Sequence, residues 1–336
     1  MAAKLKIPLA AQINRAASEK NIPQSILVEL THDCNLDCYY CYIRKSKTRR
    51  YLTTLEWLET LAGLAEAGGL YLILSGGEVF LRNDLIQIIR EARGLKFAVS
   101  LISNGTNISR NMAKAIAALG VLDVGLSLHA TSPGLHDKLS GQPGSFVRTL
   151  EALRLLVSLG VKVGIKHTVS KANCGEFRGL AKLATREHAI FECDSVVVPH
   201  GKSGISPHAL SVAQIREFLR FMKMKPISSA CAGNAGTNLH CDAGRSVMGI
   251  SAYGDVLPCI QLPLVFGNVR TQSIKAIWHG EKARKFRVQE RSVARECLEC
   301  DMNSFCGRCP GVSYFESGKW QGKAESICNR SRATLA

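Results

Sequence analysis

The chain has 336 residues, 46% apolar and 6% aromatic, with 43 Lys and Arg against 27 Asp and Glu for a formal net charge of +16. That apolar fraction supplies a core and excludes intrinsic disorder as the main state, and the length exceeds the roughly 100 to 200 residues of a usual single domain. No apolar run approaches the ~18 residues of a membrane-spanning helix, and residues 1–11 lack the apolar centre of a secretory signal, so a cytoplasmic location is expected.

In chain order, residues 26–30 read as a first strand, and Thr53-Thr-Leu-Glu56 as a capping box opening a helix that stops at Gly68 and Gly69. Residues 70–74 form a second strand. Helices starting near Asn83, Ser109, Ser145 and Cys174 then alternate with strands near 96–102, 121–128, 161–169 and 191–199, and a helix over 211–224 completes a sixth unit. Such repeats demand parallel strands joined by right-handed crossovers. Six units are too few for a closed eight-stranded barrel of about 250 residues. The expectation is an α/β fold, a partial (β/α)6 barrel, with a flat doubly wound sheet also allowed by the pattern; both put the reactive site at the C-terminal strand ends. Past residue 225 the composition changes, and eight of the 13 cysteines lie from Cys231 to Cys328. The chain therefore divides into an N-terminal extension (1–25), the barrel (26–224) and a small cysteine-rich domain (225–336) stabilised by metal.

An odd cysteine count in a reducing compartment argues for metal binding or chemistry rather than disulfides. Cys34, Cys38 and Cys41 form a CxxxCxxC run directly after the first strand. Three thiolates on one tight loop can take three corners of a 4Fe-4S cube and leave one iron open. Spacing alone also allows a zinc site closed by His32.

The run Cys34-Asn-Leu-Asp-Cys38-Tyr-Tyr40-Cys41 after strand one, Ser75-Gly-Gly-Glu78 after strand two and Ser103-Asn-Gly105 after strand three together resemble the radical S-adenosylmethionine (SAM) enzymes. The resemblance spans the barrel region. It implies that the open iron binds SAM, whose reductive cleavage gives a 5'-deoxyadenosyl radical that abstracts hydrogen from a substrate carbon. It implies cofactor contacts at Tyr40, Gly76, Gly77, Glu78, Asn104 and Ser127. The two glycines let backbone approach closely, and Glu78 offers an acceptor for the cofactor ammonium. Where relatives carry an arginine after His-Asp, His136-Asp137-Lys138-Leu-Ser140 has serine, and Lys138 is the replacement cation.

Downstream, Cys241, Gly254 and Cys259, then Cys297-x2-Cys300-x5-Cys306-x2-Cys309 and Cys328, resemble the SPASM auxiliary-cluster domain, one residue short before the fourth cysteine of the run. By that resemblance Cys231, Cys241, Cys259 and Cys309 hold an inner cluster, and Cys297, Cys300, Cys306 and Cys328 an outer one, giving three 4Fe-4S clusters in all. Spacing alone would group Cys297, Cys300, Cys306 and Cys309 as one zinc ribbon-like site. Cys174 and Cys193 remain as structural thiols.

The expected function is radical modification of a peptide by crosslinking, epimerisation or oxidation, with the auxiliary clusters moving electrons. The alternatives are radical modification of a small molecule such as a tetrapyrrole side chain and, in another class, a zinc-stabilised binding protein without catalysis. Ile260 follows Cys259 where sulfatase-maturing relatives have an acidic base, which counts against formylglycine formation. Lys166, His129 and His200 are candidates for substrate contact. The basic run at residues 44–50 favours an acidic peptide over nucleic acid, since it lacks interleaved aromatics. Residues 1–25 are too few for a leader-binding domain, so a separate leader-peptide-binding protein and an electron donor such as flavodoxin or ferredoxin are expected partners.

Overall fold

The computed structural model describes residues 9–43, 46, 48–198, 204–222, 241–289, 294–302 and 306–335. His200, Cys231 and, within the basic run, Arg44, Lys45 and Lys47 lie outside them. Helix α1 (Leu9–Glu19) leads into β1 (Ser25–Thr31), α2 (Thr54–Glu66), β2 (Tyr71–Gly76), α3 (Leu85–Gly94), β3 (Ala98–Ser103), α4 (Arg110–Ala118) and β4 (Asp123–Ser127). Two helices, α5 (Pro133–Ser140) and α6 (Ser145–Ser158), precede β5 (Val163–Thr168), followed by α7 (Phe177–Arg186), β6 (Ile190–Asp194) and α8 (Val212–Phe221). The cysteine-rich part contributes β7 (Val247–Ile250), β8 (Asp255–Leu257), β9 (Gly267–Asn268), α9 (Ile274–Trp278), α10 (Glu281–Gln289), α11 (Arg295–Leu298), α12 (Pro310–Ser317) and α13 (Glu325–Leu335).

Local chemistry places these elements. Thr53 caps α2 by accepting from the Glu56 N–H while the Glu56 carboxylate accepts from the Thr53 N–H at 2.7 Å, the expected capping box. Ser211 and Gln214 build a second box on α8. Helix α7 starts three residues later than expected. The Asn173 side chain accepts from the Ser170 N–H and hydroxyl, holding residues 170–173 in a polar turn ahead of the helix. Helix α5, absent from the sequence reading, starts on Pro133 and ends on Gly141 in the left-handed conformation.

The sheet order is β6-β5-β4-β3-β2-β1-β7-β8-β9, with β6 through β1 parallel, β7 parallel to β1, and β8 and β9 antiparallel. This is the partial (β/α)6 barrel, extended at its β1 end by strands of the cysteine-rich segment. Alternate residues Ile26, Val28, Leu30, Leu72, Leu74, Val99, Leu101, Val124, Leu126 and Ile165 are inaccessible and pack beneath the helices. Their neighbours Glu29, Ser75, Gly125, Ser127, Gly164, Lys166 and Glu192 therefore point to the other, inward face. At the far end, Ala333 of α13 packs with Ile215, Phe218 and Leu219 of α8.

Candidate functional site

Three loops leaving β1, β2 and β3 interlock. The Gly77 and Glu78 N–H groups donate to the Thr31 and Asp33 carbonyls at 2.8 and 2.7 Å. Gly76 has φ +132°, and a Cβ there would fall 2.2 Å from the Thr31 oxygen; one on Gly77 would fall 2.2 Å from the Asp33 oxygen. The glycines are thus required by close approach of the second loop to the backbone of residues 31–33. Glu78 is fully buried. Its Oε1 accepts from the Phe80 N–H and Ser103 hydroxyl, and its Oε2 from the Asn104 N–H. Three of a carboxylate's roughly four acceptor positions are thereby filled, so Glu78 ties the β2 loop to the β3 loop and keeps about one acceptor position for a further donor. Burial pushes its pKa upward.

Asn104 continues the chain of contacts. Its side-chain amide donates to Asn35 Oδ1 at 3.0 Å and to Cys34 Sγ at 3.9 Å, while its Oδ1 accepts from the Thr106 N–H and hydroxyl. From the other side, the Asp37 and Tyr39 N–H groups donate to the Ser140 and Leu139 carbonyls at the end of α5. The Tyr40 hydroxyl lies 2.6 Å from His129 Nδ1, and the Tyr39 hydroxyl meets Ser170. The cysteine loop is therefore held by the exits of β2 and β3, by α5, and by residues just beyond β4 and β5. Lys138 is exposed on α5.

The three thiols of the loop are partly buried and affect one another. Cys38 is pushed up to about 12 by burial and then by Cys41 and Cys34, and burial also raises Cys34 and Cys41. Such a donor set becomes three thiolates only around a strongly cationic group. His32, the fourth ligand of a zinc reading, instead has its Nε2 2.8 Å from Glu29 Oε2. Among the described residues no three Cys, His, Asp or Glu side chains converge as a single ion requires. Three thiols carried on one loop suit three corners of a 4Fe-4S cluster.

Glu29 was not singled out from the sequence, although a charge inside an apolar strand was a readable signal. It is buried on the inward face, and its Oε1 accepts from the Tyr42 hydroxyl at 2.9 Å. The Tyr42 phenol is held far above its ordinary pKa by burial, then by Glu29, with the thiols of Cys41 and Cys259 as further neighbours. The Glu29–His32–Tyr42 group thus sits between the two cysteine fields. Further along the same face, Lys166 pairs with Glu192 over Gly125 and Gly164, where a Cβ would meet their side chains, and Ser127 lies in register with Lys166. His129 is buried and held neutral by burial, stacked 5.4 Å from His136.

In the second field the described cysteines are all free thiols. Cys259 is raised by burial, with Cys309 the neighbouring thiol that adds to it. Cys328 is pushed up to about 11 by burial, with Glu325 and Cys306 beside it, and Cys297 neighbours Cys306 and Cys300. The fold accordingly brings Cys309 to Cys259 and Cys328 to Cys306. Gly249 and Gly311 make the first approach possible, since a Cβ on them would strike the backbone of Ile260 at 2.5 Å and of Gln261 at 2.6 Å.

Residues 28–174 match the Radical SAM superfamily, and residues 241–310 match SPASM, the iron-sulfur cluster-binding domain. An AdoMet-dependent heme synthase of Methanosarcina barkeri (strain Fusaro / DSM 804) is 29% identical over 333 residues, covering 89% of this chain and 95% of that protein. The PqqA peptide cyclase of Rhizobium meliloti (strain 1021) is 26% identical over 306 residues, covering 83% and 80%. Native anSMEcpe with bound AdoMet shares the fold with a TM-score of 0.73 at 18% identity, covering 93% of this chain and 96% of that one. Interlocked strand-end loops around three cysteines, a second cysteine field on the same sheet, and these matches make the chain a radical SAM superfamily enzyme with a SPASM iron-sulfur domain.

Proposed function

We propose that the chain modifies a tetrapyrrole side chain by radical chemistry. The supporting observation is the end-to-end likeness to heme synthases, which reverses the order expected from the sequence, where a peptide substrate came first. Cys34, Cys38 and Cys41 would hold a cluster that, with bound SAM, supplies a 5'-deoxyadenosyl radical for hydrogen abstraction. Asn104 orients Cys34, and Tyr40 and His129 brace the loop from the side of β4. Glu29, with His32 and Tyr42, keeps a proton-accepting group on the inward face. Lys166, held by Glu192 on the same inward face, is the polar side chain placed to meet a substrate there. Eight further cysteines, Cys231 among them, would hold two auxiliary clusters.

Peptide modification is the second reading, favoured by the PqqA peptide cyclase likeness; it would call for an acidic peptide and a separate leader-binding protein. In either reading a flavodoxin or ferredoxin would supply electrons. The deciding experiment is anaerobic reconstitution with a reductant, SAM and either a propionate-bearing iron tetrapyrrole or a precursor peptide. Substrate-dependent 5'-deoxyadenosine with a mass change in the tetrapyrrole is expected, together with about 12 iron atoms per chain. A mass change in the peptide alone would transfer the assignment, and zinc without iron would overturn both.

A further inference from the structure

Arg308 lies between two cysteines in Cys306-Gly-Arg308-Cys309 and is only 8% exposed. Its Nη2 donates to the Trp320 carbonyl at 2.7 Å. Its Nε and Nη1 are buried with no hydrogen-bond partner among the described residues. The thiols that act on its charge come from both expected cluster sets, Cys297 and Cys306 of the outer and Cys309 and Cys241 of the inner.

A guanidinium keeps its charge and five N–H donors under all ordinary conditions, and burying it without an anion is strongly unfavourable. An anionic, acceptor-rich group held by those cysteines would pair these donors. A 4Fe-4S cluster with four thiolates carries net negative charge, and its sulfurs accept N–H bonds; both charge and hydrogen bonding move its reduction potential. The donor set and the orphaned guanidinium fit one another.

We infer that Arg308 is a positioning residue for the auxiliary clusters, its unpaired N–H groups and its charge stabilising their reduced state and so readying them to accept electrons. The inference rests on the reading that these cysteines hold clusters. A positive charge common to both groups favours the added electron on either.

The test is a redox titration of the reconstituted full chain followed by electron paramagnetic resonance, with Arg308→Met and Arg308→Lys beside the parent. In Arg308→Met the auxiliary signals are expected to titrate at more negative potential. The shift should be at least a tenfold change in the reduced-to-oxidised ratio at fixed poise, which is about 59 mV for one electron. The signal of the first cluster stays in place as an internal reference. Arg308→Lys keeps the charge and is expected to load iron fully and titrate within tenfold of the parent. Arg308→Met that loses auxiliary iron while Arg308→Lys retains it supports the same role. Fully loaded variants with unmoved auxiliary potentials overturn the inference alone, as does Arg308→Lys failing to load. A parent with no iron beyond the first cluster overturns the reading beneath it.

Discussion

The side-chain amide of Asn104, at the exit of β3, donates to the thiol of Cys34, 70 positions earlier in the chain. Because the Asn104 N–H is also fixed by Glu78, the first cysteine is placed by a path running through β2 and β3 and not by its own loop alone.

Replacing Asn104 with Ala removes the donors to Cys34 and Asn35 and the acceptor for Thr106. A net hydrogen bond contributes about 1 kcal/mol, so a roughly tenfold slower formation of 5'-deoxyadenosine is expected from the loosened loop. Quantifying 5'-deoxyadenosine by chromatography at equal iron loading checks this, and an unchanged rate would remove Asn104 from the site.

Gly77→Ala tests the backbone approach of the second loop. The new methyl would lie 2.2 Å from the Asp33 oxygen, so the loop must move and with it the Gly77 bond to Thr31. A loss of about 3 kcal/mol or more is expected, read as a lower melting temperature of the cluster-free protein and poor iron retention.

Acid should destabilise the chain in a defined window. His136 and His167 are lowered to about 4 by burial, and an unfolded histidine titrates near 6.5. Between those values the unfolded state binds more protons, so stability rises with pH and falls as the solution is acidified. Each histidine costs on the order of 2 kcal/mol at pH 5. Thermal melts from pH 7.5 down to 5 should show the decline, and His136→Asn should flatten it.

Glu29→Gln leaves a side chain of the same shape that accepts protons poorly. If the inward carboxylate serves turnover, product formed per 5'-deoxyadenosine should fall about tenfold or more while SAM cleavage continues. Equal coupling in variant and parent would assign Glu29 to packing only.

The alternating strands of the barrel were legible because each carries buried residues at a period of two, as in Ile26, Val28 and Leu30. Helix α5 was not, because Thr-Ser-Pro-Gly at residues 131–134 reads as a turn and the helix is short. Strand β7 escaped notice for a different reason: its partner β1 lies more than 200 residues upstream, and pairing at that separation leaves no local pattern. Spacing alone groups Cys309 with Cys297, Cys300 and Cys306, whereas the resemblance sets it with Cys259, and the fold brings those two thiols together. The bonding of Glu78 was not legible either, because its donors come from its own loop at Phe80 and from Ser103 and Asn104 at the β3 exit, a meeting of two segments that no local spacing encodes.

The cysteine-rich segment grips the barrel at both ends, through β7 on β1 and α13 on α8. A protein cut at residue 225 would therefore expose a bare strand edge at one extremity and the apolar stripe of Ile215, Phe218 and Leu219 at the other. Expressed alone, the N-terminal piece would associate with copies of itself. The two outermost elements of the barrel are thus closed off by a segment that shares none of the three cysteines of the first loop.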